Sequence, residues 1–437
     1  MGWRIHSVLY RHIPLPLFFH LMTLLSWGRI SYVGSLALYG CCFGLQWLVG
    51  KVASYIIAPG GRGSLVAAER IASMGDRYKV DFLSSVGGAL SKHLRPLHAS
   101  GDSLRDMFKR NSSSSRESIE ELFLQSPDGI TIQGWLVGWP QGSAPPPRGV
   151  IVYFGGNAEI CELRGDLLKT WRERGFGVLL FNYRNFGASE GSISRDGLVL
   201  DALTVISFLT EGRGLVPHRT ILFGHSLGGA LSTEAATLIS KQGVIVINDR
   251  SFGLLSDVGA FMLLPPGLLP GGWGKAEGAG GPGRPLGLGG AASGGTAMGS
   301  PEGELSGWLA RAAFRIFMRH VACWEYDTLH HWKSLPSNTK IILYDPADSI
   351  IPLPTALVST LTHPGAALAP GVVGSIGRLD TGTKLSTVAH NRPLERAEND
   401  RLDSVLKLAC GVLTGGVTLR TGERNAGVER VPLPKTF

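Results

Sequence analysis

Between residues 149 and 248 the chain alternates short, continuously apolar runs with helical stretches, and few features restrict a fold more. GVIVYF (149–154), FGVLLFN (176–182), TILF (220–223) and GVIVIN (243–248) read as strands, and KIILY (340–344) as another. The segments between the first four, 159–174, 196–210 and 228–241, read as helices. A strand with one wet face alternates apolar and polar residues, whereas one that is apolar throughout is buried on both faces. Strands separated by helices pair through crossovers and so run parallel. The chain is therefore expected to be α/β, with a doubly wound, mostly parallel sheet. Upstream, ELFLQS and ITIQGWLV flank the turn signal Pro127-Asp128-Gly129, which predicts an antiparallel hairpin at one edge.

The pattern G-x-S-x-G occurs twice, around Ser226 in LFGHSLGGA and around Ser189 in GASEG. With 60 glycines in 437 residues, the pattern alone chooses neither. A nucleophile elbow needs a strand delivering the serine, a helix starting directly after it, and small residues two before and two after, so that strand and helix can close together. TILF enters Ser226, Gly224 and Gly228 flank it, and a helix-forming run begins at once. Ser189 instead sits in a loop, NYRNFGASEGS, that continues before any helix starts. Ser226 is thus the candidate nucleophile. His225 is expected to pack within the elbow rather than act as a base.

Here the chain resembles the α/β-hydrolase superfamily, and within it a membrane-anchored serine hydrolase branch with an H-G-N-A loop. The resemblance covers about residues 121–412. VYFGGNAE (152–159) stands where that loop follows the third strand, NYRNFGASEG stands for D-Y-R-G-[YF]-G-x-S-x-G, GHSLGG is the elbow, and DPADSIIP (345–352) resembles the acid-bearing segment. The resemblance implies a structural role for the second G-x-S-x-G. Two departures stand out. Gly155 replaces the usual histidine, which puts the rigidity of the loop in question, and Asn182 replaces an aspartate.

The superfamily order is nucleophile, acid, histidine. Asp348 occupies the matching acid position, with Asp249 as the alternative acid and Asp345 a further rival. Of the two later histidines, His363 comes too soon for a strand to precede it. His390 follows a plausible final strand at 383–389 and precedes the last helix. The oxyanion hole is expected to use the backbone N–H groups of Leu227, at a helix N-terminus, and Asn157.

Outside this domain, Ile30–Gly50 carries no charge and at 1.5 Å per residue reaches about 30 Å, the thickness of a bilayer core. A shorter apolar run, Ile13–Trp27, precedes it. These segments predict a membrane anchor, single-pass or hairpin, within an N-terminal region 1–58; positive charges on both sides leave its orientation open. Residues 59–118 read as mixed helical and linker sequence, 119–412 as the hydrolase domain, and 413–437 as a tail. Gly267–Gly303, with 15 glycines in 37 residues, is expected to be a disordered insert. It leads into an amphipathic lid helix, 304–322, with Leu305, Trp308, Leu309, Ala312, Ala313, Ile316 and Phe317 on one stripe. Arg311, Arg315 and Arg319 form a basic stripe, expected to be a solvated face, with contact to anionic lipid or substrate as the alternative.

The net charge of +8 carries no basic run or nucleic-acid motif; half of it comes from Arg4, Arg11, Arg29 and Lys51, in a stretch without acids. The five cysteines are scattered, with no metal-ligand spacing or disulfide framework, so no metal or organic cofactor is expected. The expected function is hydrolysis of an ester or thioester, with a lipid-like acyl group suggested by the anchor and lid. A membrane-tethered, non-catalytic interaction protein on the same fold is the alternative.

Overall fold

The computed structural model describes part of a helical stretch at 44–53, most of 119–263 and 301–361, a strand at 372–377, and most of 390–413. The apolar run 30–43, the region 59–118, the insert from 264 to 300, His363, the segment 383–389 and the tail from 414 lie outside the described residues.

The hairpin forms as expected from β1 (Ile119–Gln125) and β2 (Thr131–Val137). β3 (Val150–Phe154), β4 (Gly177–Phe181), β5 (Thr220–His225), β6 (Ile245–Asp249) and β7 (Lys340–Tyr344) follow the five apolar runs. An eighth strand, β8 (Val372–Gly377), pairs parallel with β7. The sequence reading does not expect this strand, and the segment 383–389, where a strand is expected, lies outside the described residues. The sheet order is β1-β2-β4-β3-β5-β6-β7-β8, parallel from β4 to β8, with β2 antiparallel to β4.

The helices are α1 (Gly165–Glu173), α2 (Arg195–Ser207), α3 (Leu227–Ile239), α4 (Leu255–Leu263), α5 (Pro301–Ile316), α6 (Thr328–Ser334), α7 (Leu357–Leu361) and α8 (Arg396–Leu413). Successive strand residues point to opposite faces, so an all-apolar strand feeds two cores. Val150, Val152 and Phe154 join Leu198 of α2 and Leu231 of α3, while Ile151 and Tyr153 join Trp171 of α1 and Leu402 of α8. Ser194 caps α2 by accepting the Gly197 N–H at 3.1 Å, which fixes where the helix leaves the Ser189 loop.

The lid helix departs from its sequence reading in two ways. It begins at Pro301, so the last three residues of the expected disordered insert are helical, and it passes at Phe317–Val321 into a wider π turn. More consequentially, its basic stripe is only partly solvated, because each arginine is tied to an acid. Arg311 donates through Nε to Asp257 of α4 at 2.7 Å and again through Nη2, Arg315 reaches the same carboxylate at 3.3 Å, and Arg319 pairs with Asp327. Asp257 is fully buried. A buried carboxylate needs charged partners, and this requirement sets the rotation of the helix. The apolar stripe consequently turns outward: Leu305, Trp308, Leu309 and Ile316 are each more than half exposed.

Candidate active site

Ser226 and Asp348 lie just beyond the carboxyl ends of parallel strands and Asp249 ends one, on the rim where open α/β sheets bind ligands. Ser226 stands between β5 and α3, with φ of +54°, in the left-handed region that a non-glycine residue adopts only when its surroundings enforce it. The enforcement is visible. The Ser226 N–H donates to the Asp249 carbonyl at 2.9 Å, and its own carbonyl accepts the Gly229 N–H at 2.9 Å. The flanking glycines are obligatory for closeness rather than for torsion. A Cβ on Gly224 would lie 2.1 Å from the Gly228 carbonyl oxygen, and one on Gly228 would lie 2.1 Å from that of Phe154. Leu227 is the first residue of α3, where backbone amides lack intrahelical acceptors.

His390 and Asp348 come together across the rim: His390 Nδ1 lies 2.6 Å from Asp348 Oδ2, and both side chains are buried. The other oxygen of Asp348 accepts the N–H groups of Ile350 and Ile351, each at 2.9 Å. With a carboxylate as partner, Nδ1 is the donor, which leaves Nε2 as the basic nitrogen. Asp345 contributes its carbonyl to the Asp348 N–H at 3.1 Å.

Asp249 serves a different cluster. Arg250 clamps it from Nε at 2.7 Å and Nη2 at 2.6 Å, and His225 Nδ1 lies 3.1 Å from it. Burial alone would raise the Asp249 carboxyl; the Arg250 charge and the His225 hydrogen bond outweigh it and hold the carboxyl well below the usual range. Burial depresses His225 despite its carboxylate partner. Its ring lies 4.8 Å from the ring of His390, centroid to centroid. His225 thus packs in the elbow, as its sequence reading expects, and also bridges Asp249 to the neighbouring imidazole.

The loop after β3 approaches the serine closely. A Cβ on Gly156 would stand 3.5 Å from Ser226 Cβ and 3.2 Å from the His225 ring. The Tyr183 hydroxyl donates to the Gly155 carbonyl at 3.1 Å, and the Gly156 N–H donates to Glu159 Oε2 at 2.7 Å. Glu159 also accepts from the Tyr153 hydroxyl at 3.0 Å and pairs with Arg164 at 3.2 Å. Burial would raise this carboxyl too; Arg164 and His225, with those hydrogen bonds, bring it below its ordinary value, so it is a carboxylate. Asn157 follows in an exposed turn. The missing histidine at Gly155 therefore leaves a loop tied at both ends, by Tyr183 and Glu159.

Asn182 and Ser189 have structural work. Ser189 Oγ donates to the Asn182 carbonyl and accepts the Gln133 N–H, both at 2.8 Å. The Asn182 amide accepts the Cys161 N–H at 2.9 Å and donates to the Gln133 side chain at 3.0 Å. An aspartate could not make the second bond without a change in Gln133. Sequence reasoning missed Arg250, Glu159, Tyr183 and Gln133. Only Arg250, adjoining an aspartate at a strand end, carries a local signal. Among the described residues no group of His, Cys, Asp and Glu is arranged to hold a metal ion.

This rim, with its strained serine after the central strand, coincides with a family match. The model of the alpha/beta hydrolase family matches residues 161–394, more than half of the chain. The chain belongs to the alpha/beta hydrolase family. This alpha/beta hydrolase is 31% identical over 156 residues to the uncharacterized protein YfhR of Escherichia coli K12, covering 36% of the chain and 54% of YfhR. It is also 35% identical over 107 residues to human Protein ABHD12B, covering 24% of this chain and 29% of that one. The chain thus spans about half the length of YfhR. The solved Pyrococcus furiosus esterase Pf2001 superposes with a TM-score of 0.43 at 14% identity, covering 68% of this chain and 92% of that one.

Proposed function

We propose that this alpha/beta hydrolase is a serine hydrolase that cleaves an ester or thioester through Ser226, His390 and Asp348. The observation that supports it most is the buried 2.6 Å pair between His390 Nδ1 and Asp348, on the rim that carries a serine at φ +54°. In this reading Ser226 Oγ bonds to the acyl carbon while its proton passes to His390 Nε2. The oxyanion that forms accepts the N–H groups of Leu227 and Asn157. The tetrahedral intermediate collapses, the bond to the leaving group breaks, and His390 returns the proton to it. Water then attacks the acyl-serine, His390 takes and returns one proton, and the carboxylic acid leaves. Asp348 fixes the tautomer throughout and stabilises the imidazolium. Asp249 is assigned to positioning, through Arg250 and His225, rather than to the triad.

The charge-free run 30–50 is proposed to hold the enzyme at a membrane, which favours lipid-like acyl substrates. Its residues 30–43 lie outside the described ones, and among the described residues no helix is long and apolar enough to cross a membrane. What supports the reading is the length and composition of the run.

A fluorophosphonate probe tests the chemistry. Wild-type protein is expected to be labelled and Ser226→Ala unlabelled at unchanged melting temperature. Folded wild-type protein that takes no label would defeat the hydrolase reading, and full labelling of Ser226→Ala would defeat the choice of nucleophile.

A further inference from the structure

We infer that the outward apolar face of α5, together with the end of α4, rests on the surface of a lipid bilayer. Leu305, Trp308, Leu309, Ile316 and Phe317 form one exposed stripe, spanning about 18 Å at 1.5 Å per residue. Met262 and Leu263, at the end of α4, which packs on α5 through Asp257 and Gly259, are 52% and 72% exposed as well. Soluble surfaces rarely display apolar side chains in a contiguous row, and such rows mark interaction sites.

The orientation is built in. Asp257, buried in α4, holds Arg311 and Arg315 against the body, and Phe314 fits so closely over Gly259 that a Cβ there would lie 2.7 Å from its ring. A helix with its polar side clamped inward offers its other side to something apolar.

The chain's own course names the occupant. The charge-free run that begins at Ile30 ends in the helical stretch at 44–53, which packs on the domain through Val49 and Ala53. Gly50 of that stretch sits beside the Ala322 carbonyl, directly after the π turn that ends α5. A segment coming out of a bilayer would therefore join the domain at the foot of α5. Leu45, Leu48 and Val52 are also exposed there. The first 60 residues add four cations and no anion, which suits an anionic leaflet. The inference rests on the membrane reading of the N-terminal run and is independent of the chemistry of Ser226.

Photo-crosslinking of the full chain, reconstituted with phosphatidylcholine–phosphatidylglycerol vesicles, tests it. Leu309 is exchanged for p-benzoylphenylalanine, with Phe123, exposed on β1, exchanged likewise as control. Co-flotation with the vesicles and a lipid adduct at position 309, about tenfold above that at 123, are expected. Trp308→Glu with Ile316→Glu should abolish the adduct while flotation persists. A crosslink to residues 264–300 would show that the insert covers the face and overturn the inference, as would a crosslinked dimer. Flotation without a lipid adduct at 309 would overturn it while sparing the anchor. A chain that does not float at all would overturn both, whatever its fluorophosphonate labelling.

Discussion

Asp249 and Asp348 follow one another along the same sheet rim, at the end of β6 and beyond β7, and their carboxylates have different partners. Asp348 uses one oxygen for two backbone amides and the other for His390. Asp249 is spent on Arg250 and His225. Asp348→Asn keeps the size of the side chain but loses the charge that orients and stabilises the imidazole. Its kcat is expected to fall by on the order of 10³-fold, with little change in melting temperature. Asp249→Asn removes the carboxylate that Arg250 grips through both Nε and Nη2, weakening a buried ion pair by about 1–3 kcal/mol. The expected result is a drop in melting temperature. Thermal unfolding and steady-state kinetics on both variants decide the matter, and the reverse pattern would make Asp249 the triad acid.

At the scale of elements, α5 shows how one buried charge sets the rotation of an amphipathic helix. The stripe alone does not say which way it faces, and turning it inward would strip Asp257 of Arg311 and Arg315. Those arginines are partly solvated, which weakens each pair, whereas Asp257 is not. Asp257→Asn is expected to loosen α5 by about 1–3 kcal/mol. Hydrogen exchange should quicken over 301–316 while the β5–α3 amides stay protected. Equal protection in both proteins would mean that the ion pairs do not set the helix.

For the molecule as a whole, buried acids tie stability to pH, and Glu325 gives the clearest case above neutrality. Glu325 lies under α4, accepting the Ser256 N–H at 3.2 Å, and burial raises its carboxyl from 4.5 to about 7. The folded state therefore holds this proton more tightly than the unfolded chain does. Its stabilising contribution is complete below about pH 4.5 and is lost as pH rises through about 7. Glu325→Gln, neutral at every pH, should gain on wild type across that window, by roughly 1–3 kcal/mol at pH 8. Urea titrations at pH 5 and pH 8 check it; a difference between the proteins that does not change with pH would refute the linkage.

Apolar runs and the turn at Pro127-Asp128-Gly129 were enough to read the hairpin, five strands and the elbow, because double-sided burial and tight turns leave their marks on adjacent residues. The places of Ser226 and Asp348 after strands could be read for the same local reason, whereas His390 is expected from the order that the resemblance implies. The orientation of α5 could not, since it depends on Asp257, 54 residues away in sequence from Arg311. Nor could the different partners of Asp249 and Asp348, the closeness of the His225 and His390 rings, or the tying of the FGGNAE loop by Tyr183. These depend on which side chains long-range folding brings within hydrogen-bond distance. The sequence by itself determined the layers and the candidate chemistry; only the tertiary structure decided which buried charge faces which partner, because a carboxylate's role is set by neighbours that the order of residues does not list.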